Sequence, residues 1–514
     1  MLNGTLKMGQ ENAVISKIRD MAIATPDAVA LVGIQHTLTY QQLIEQVDTY
    51  ATYFSGISAT SIAVDLDNGP EWAILDLALL LAGKVAIPIP HFFSKQQIGH
   101  LISDGGVELL LTQTPDNYKT VDSYCTSPFQ LCGSNIHPIY INQPAAAVPT
   151  GTVKVTYTSG TTSTPKGVCI AEQAIETTVK SIAQRAAVTH LDHHLSVLPL
   201  TTLLENLGGL YAALISGATV TLLPQPILGI NGSSGIDPTR FIEQFEKSAA
   251  TTSILIPQMV DLMVNAVESG KGEKLKLRYA AVGGAPTSNK LLERANQLAL
   301  GIHEGYGLSE ATSVVAVNAP GKNSIGTVGK PLPHIQIKIE SDGELSVKGS
   351  LFNGYIGQEN AALDADGFLP TGDLAELNKD GNLILKGRKK SLITTAFGRN
   401  IAPEWVEQEL IIQPGILQAA LFGDGRPWNV AVIVSHPDTD VRQAIKRVNQ
   451  SLPDYARIQK WIDAETPFSI ENKQWTGTAR PRREAIWSHY GKQIEALYTT
   501  SINEFETDNK EMTA

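Results

Sequence analysis

Apolar residues recur on a helical period through QQLIEQVDTYATYF at 41–54, which predicts a helix with one buried face. The runs SIAVDLD at 61–67, KVAIPIP at 84–90 and VELLLTQ at 107–113 are short and continuously apolar, as buried strands are. Leu195–Leu200, Ala218–Leu223 and Thr252–Pro257 repeat the pattern, each beside a helical run. Strands separated by helices predict parallel sheets with helices on their faces. The most apolar stretch, Trp72 to Pro90, is interrupted by Asp76, Gly83 and Lys84. A membrane-spanning helix needs about 20 nearly uncharged residues, so this stretch reads as a buried helix turning into a buried strand.

The character changes between Gly326 and Leu385. Here GELSVKG and DADGFLPTGDLAELNKDGNLILKG predict short strands joined by Asp-Gly turns, an antiparallel meander or small barrel. After Gly387 the pattern is compact α+β, with a helix near Pro403–Leu410 and a strand near Val430–Val434. The last ten residues, FETDNKEMTA, are polar and predict a frayed end. The fold class expected is α/β: a large N-terminal domain of αβαβα-type sheets containing parallel strands, with a small β-barrel-like subdomain, followed by a small mobile α+β domain.

Composition narrows the class of function. The 514 residues exceed one core of about 100–200, which predicts more than one lobe. A hydrophobic share of 43% excludes global disorder. With 51 acidic against 40 basic residues the formal charge is −11, which argues against a general nucleic-acid partner. Cys125, Cys132 and Cys169 form no CxxC and sit far from any histidine pair, which suits a reducing compartment. The N-terminal segment lacks the apolar core of a secretory signal, so a cytoplasmic location is expected, as monomer or homodimer.

The chemistry concentrates in Thr156–Ile170, TYTSGTTSTPKGVCI. A hydroxyl-rich, glycine-containing loop follows a strand-like run and carries one lysine. Backbone N–H groups of such a loop can point into a concavity that accepts phosphate oxygens, with hydroxyls and Lys166 as further donors. It is not a Walker A loop, because the lysine follows a proline and no helix-opening GK[ST] is present. Taken alone, the composition also suits a Ser/Thr-rich surface turn.

Thr158, Ser159, Gly160, Thr161, Thr162, Ser163, Thr164, Pro165, Lys166 and Gly167 together resemble the phosphate loop of the adenylate-forming superfamily. That superfamily includes acyl-CoA synthetases, firefly luciferase and peptide-synthetase adenylation domains. Gly305-Tyr306-Gly307-Leu308-Ser309-Glu310 resembles its second signature and Thr371-Gly372-Asp373 its third. Gly387-Arg388-Lys389-Lys390, with Gly398 to Pro403, resembles the fourth. The motifs stand in family order at family spacing, and LPLTTLLENLGGLY looks most like the long-chain acyl-CoA synthetase branch.

The resemblance implies a two-step reaction. A carboxylic acid, fatty or otherwise hydrophobic, attacks the α-phosphate of ATP to give acyl-AMP and pyrophosphate, and a thiol then displaces AMP. The thiol is that of coenzyme A or, alternatively, the phosphopantetheine arm of an acyl carrier protein. The loop from Thr158 to Lys166 would cradle the β- and γ-phosphates, and Glu310 would hold Mg²⁺. Tyr306 would stack on adenine, with Gly284-Ala285-Pro286 as the other wall and Gly305, Gly307 and Ser309 shaping the turn. Asp373, assisted by Arg388, would bind the ribose hydroxyls. Gly398 would let a pantetheine arm pass close to the backbone. The resemblance divides the chain into a 1–386 body and a 387–514 cap, with a hinge near Lys390 that absorbs a rotation between the two steps. The acyl pocket is expected between the Leu203–Leu210 helix, the Ile254–Met259 strand and the Gly283–Ala285 turn, with Gly208 and Gly209 leaving room for an extended chain.

Three positions depart from the family pattern. Ser163 replaces a loop glycine, and Thr202 stands where many relatives have a histidine or aromatic gate. In Thr476-Gly477-Thr478-Ala479-Arg480, arginine occupies the place of the family's catalytic lysine. Arginine keeps the charge but is a planar fork of different reach. It can bridge the substrate carboxylate and the α-phosphate bidentately. An adenylation-impaired nucleotide-binding homologue is the alternative.

Overall fold

The computed structural model describes residues 12–119, 121–158, 165–231, 235–358, 363–396, 398–476 and 480–499. Ser159, Gly160, Thr161, Thr162, Ser163 and the polar C-terminal end therefore lie outside the described residues. Contacts divide the chain into two compact units. The first holds most of the chain up to Ile384, and the second holds Leu385 onward together with 285–288 and 372–376.

The first unit contains two sheets whose central strands are parallel. One runs in the order Ile302–Tyr306, Tyr279–Val282, Thr252–Leu255, His193–Ser196, Thr219–Leu222 and Val29–Val32 through its parallel part, with antiparallel strands at both edges. The other has Thr152–Thr158, Val85–Pro88, Ser61–Asp65 and Leu109–Thr112 as its parallel centre. The helices between them start where local chemistry dictates. Thr39 and Gln42 close a capping box at Tyr40–Ser55, and Pro70 opens Pro70–Leu81 with its preset φ. Leu195, Phe241, Phe245, Leu255, Met259 and Val282 are buried together beneath the first sheet. The expected meander takes the form of a four-stranded sheet, Gln336–Ile339, Glu344–Lys348, Leu369–Leu377 and Leu383–Arg388.

Two expectations about local structure need correction. The strand read as Ile254–Met259 ends at Leu255, and Pro257 opens the helix Pro257–Glu268, so Met259 is helical. The helix near Leu203–Leu210 is a π-helix over Leu204–Tyr211, one extra residue per turn being accommodated there.

That π-helix is pinned by buried charge. Asp76, which interrupts the apolar helix, accepts from Lys154 Nζ with both oxygens at 2.7 and 2.8 Å. Lys154 also donates to Asn206 Oδ1 at 2.5 Å, and Tyr211 OH donates to Asp76 at 2.7 Å. Burial lowers the Lys154 pKa and Asp76 opposes the shift, so the ammonium depends on its partner. Removing one partner of such a pair strands the other charge. Lys154→Met is expected to destabilise the first unit by about 3 kcal/mol or more in urea unfolding, whereas Lys154→Met combined with Asp76→Leu restores most of the loss.

The second unit is a smaller α+β body. Ile416–Phe422 and Asn429–Ser435 pair antiparallel, and Ile458–Asp463 joins in parallel. The helix Pro403–Ile411 covers this sheet through Val406 and Leu410, buried with Leu421 and Ile433.

Candidate active site

Thr158 ends one strand and Lys166 begins the next, and the two are cross-strand partners. The Lys166–Ala171 strand pairs on its other edge with Gly354–Tyr355. This pairing brings Tyr355 under the lysine, whose Nζ lies 5.1 Å from the ring centroid, within cation–π range. The Tyr355 hydroxyl donates to Glu310 Oε1 at 2.8 Å. Burial raises the Tyr355 pKa, and the Glu310 charge adds to the shift, so the phenol stays protonated and donates. Lys166, Tyr355 and Glu310 thus form one cluster of cation, ring and carboxylate. Sequence reasoning missed Tyr355, because nothing in its own neighbourhood marks it and only sheet pairing places it there.

Glu310 lies on a single 3₁₀ turn, Ser309–Ala311, not at the start of a longer helix. The next two residues, Thr312 and Ser313, have φ of 51° and 88°. Left-handed backbone at two consecutive non-glycine residues costs of order 1–3 kcal/mol each, and such strain clusters at functional sites. Both of their hydroxyls are buried without a partner among the described residues. Gly307 is obligatory beside this turn, since a Cβ there would sit 1.6 Å from the Ser313 carbonyl oxygen.

The glycine-rich segments meet at the carboxyl ends of adjacent parallel strands. Tyr279–Val282 leads into Gly283–Gly284, and Ile302–Tyr306 carries Gly305 and Tyr306. A Cβ on Gly283 would lie 3.5 Å from the Gly305 carbonyl oxygen, so the two backbones run close together. Gly284 has φ 82°, a conformation open to glycine. This edge is where ligands bind in open parallel sheets. Half-buried Tyr306 stands at the strand end.

In the second unit, Arg388 Nε meets Asp373 Oδ1 at 2.8 Å. Asp373 is 9% exposed and its partner 45%, so the carboxylate is held in place by a more accessible guanidinium. Gly398, at φ 70°, has no atom within 4 Å of its would-be Cβ, an open stretch of backbone. Arg480 is exposed and bonded twice to Thr476: the Thr476 N–H donates to the Arg480 carbonyl at 2.8 Å, and the Arg480 N–H to Thr476 Oγ1 at 2.9 Å. Arg483 anchors the following helix by donating to both oxygens of buried Glu407 at 2.5 and 2.7 Å.

A hard divalent cation takes oxygen ligands, and Mg²⁺ commonly binds through one or two carboxylates plus phosphates and water. Glu310 fits that role. Among the described residues no group of three or more His, Cys, Asp or Glu forms an all-protein cage. Among them also, no helix is long and apolar enough to cross a membrane.

Known proteins share both the sequence and the fold. The AMP-binding enzyme family model matches residues 18–356, and the AMP-binding enzyme C-terminal domain matches 390–502. Long-chain-fatty-acid–CoA ligase FadD15 of Mycobacterium bovis is 28% identical over 83% of this chain and 86% of that protein. The 2-succinylbenzoate–CoA ligase of Bacillus licheniformis is 26% identical over 85% and 93%. Among solved structures, O-succinylbenzoate coenzyme A synthetase of Bacillus subtilis with AMP superposes at a TM-score of 0.72, covering 92% of this chain and 98% of that one at 23% identity. The family model's match over most of the chain shows that the protein belongs to the AMP-binding enzyme family.

Proposed function

We propose that this protein is an acid–thiol ligase that converts a hydrophobic carboxylic acid to its acyl-AMP and then to a coenzyme A thioester. The observation carrying this reading is the Lys166–Tyr355–Glu310 cluster, a cation and a carboxylate held on one ring beside Thr158. Both reactants of the first step are anionic, so the site must neutralise charge and align the groups in line. Lys166 and the loop beginning at Thr158 hold the β- and γ-phosphates. Glu310 holds Mg²⁺, which when bound neutralises charge on the phosphate oxygens. Gly284, Ala285 and Pro286 wall the adenine opposite Tyr306, Asp373 and Arg388 hold the ribose, and Arg480 spans the carboxylate and the α-phosphate. The names of the relatives, a fatty-acid ligase and aryl-acid ligases, support coenzyme A as the acceptor and leave both acid classes open.

The direct test is ATP–pyrophosphate exchange over a panel of fatty and aryl acids, followed by thioester formation with coenzyme A and with acyl carrier proteins. Exchange with at least one acid and thioester only with coenzyme A is the expected result. No exchange with any acid at saturating ATP would sink the reading.

The hinge reading places Lys390 between the 1–386 body and the 387–514 cap. Proline fixes φ near −65° and removes the rotation a hinge needs. Lys390→Pro is therefore expected to leave exchange within about threefold of wild type and to lower thioester formation by about a hundredfold. If both steps fell together, the hinge would lie elsewhere.

A further inference from the structure

A cavity in the first unit separates the acid classes. It lies between the π-helix Leu204–Tyr211 and the floor of the parallel sheet, with Leu204, Gly208, Gly209, Ile254 and Tyr279 among its walls and His194 beside Gly209. The strand Tyr279–Val282 lines it with Tyr279 and Ala281 and leads at its carboxyl end to Gly283–Gly284. The cavity holds about 40 Å³. One water needs roughly 10–15 Å³ by the same measure, so there is room for about three or four water-sized groups. A long alkyl chain has several times that many carbons.

Both glycines line this space, and the room each leaves is bounded by its neighbours. A Cβ on Gly209 would lie 2.2 Å from Glu205 Oε1 and 2.6 Å from His194 Nε2. The volume a side chain would take there is already occupied by a buried pair, His194 Nε2 to Glu205 Oε1 at 2.8 Å. The other ring nitrogen is held at 3.1 Å from Thr252 Oγ1. A Cβ on Gly208 would lie 3.1 Å from Ile254 Cδ1, a tight contact that narrows the slot. Glu205 is fully buried and His194 nearly so. An alkyl chain extending past Gly209 would have to displace or strand these groups, which costs several kcal/mol.

We propose that the His194–Glu205 pair closes the acid pocket and limits the substrate to a short-chain carboxylic acid, and excludes long-chain fatty acids. This inference rests on the ligase reading. It makes His194, Glu205 and Gly209 determinants of specificity.

The test is calorimetric titration of the full-length protein with AMP and with acyl-sulfamoyl adenosines, stable mimics of the acyl-AMP, bearing butanoyl or dodecanoyl groups. The butanoyl mimic is expected to bind at least about a hundredfold more tightly than the dodecanoyl mimic. Replacing His194→Val and Glu205→Val together, which strands neither partner, is expected to shrink that gap below about tenfold. Gly208→Ala narrows the slot and is expected to weaken the butanoyl mimic at least about tenfold with AMP affinity unchanged. Equal affinity of wild type for dodecanoyl and butanoyl mimics would overturn the proposal. So would an unchanged gap in the folded double variant, or AMP binding to which no acyl group adds affinity. Failure to bind AMP itself would bring down the ligase reading together with it.

Discussion

Glu310→Ala is expected to lower Mg²⁺-dependent pyrophosphate exchange about a thousandfold while the urea unfolding midpoint stays nearly unchanged. The carboxylate is half-buried, and its side chain takes part in the fold through the hydrogen bond from Tyr355 at 2.8 Å. Losing that bond alone is worth about 1 kcal/mol. The expected activity loss is several times larger because Mg²⁺ would lose its protein carboxylate. Glu310→Gln separates the two roles. Glutamine can still accept from Tyr355 but is neutral, so it should be as inactive as alanine if the carboxylate holds the cation. Near-normal exchange in the glutamine variant would make Glu310 a support for Tyr355 and Lys166 instead. The strained backbone at Thr312 and Ser313 fits the first outcome, since a support alone has no need of a costly turn.

Arg480→Ala is expected to reduce exchange by about a hundred- to a thousandfold and to spare thioester formation from supplied acyl-AMP. The arginine stands where relatives in the superfamily are expected to carry lysine, so Arg480→Lys is the sharper experiment. A guanidinium offers donors in a rigid fork that spans two oxygens, whereas an ammonium is a point charge on a flexible stem. Lysine is therefore expected to restore less than about a tenth of wild-type exchange. Arg480 is bonded twice to Thr476 through its backbone, and the helix that follows is tethered through Arg483 to buried Glu407. Exchange faster than wild type in the lysine variant would show instead that the native arginine throttles the first step.

Much of the architecture was legible from the chain itself. Buried strands read as short apolar runs, and the helix Tyr40–Ser55 read from its period, because both signals are local and repeat over a few residues. The motif segments were legible for the same reason. Each segment that resembles a family motif is contiguous, so residue type and spacing suffice to find it.

What escaped were interactions between segments far apart in sequence. Tyr355 joins Lys166 and Glu310 only because its strand pairs with Lys166–Ala171. Asp76 was legible as an interruption of an apolar helix, but its partners Lys154, Asn206 and Tyr211 come from two other elements. Gly208 and Gly209 suggested space, and only the fold shows that Ile254, His194 and Glu205 bound it.

The sequence by itself therefore determined the family, the order of the motifs and which side chains were available for charge neutralisation. The tertiary structure alone decided that Tyr355 couples the lysine to the carboxylate and that a buried histidine–glutamate pair stands at Gly209. The physical reason is that periodicity and turn chemistry act within a few residues. The volume left in a cavity is instead set by side chains that only packing brings together.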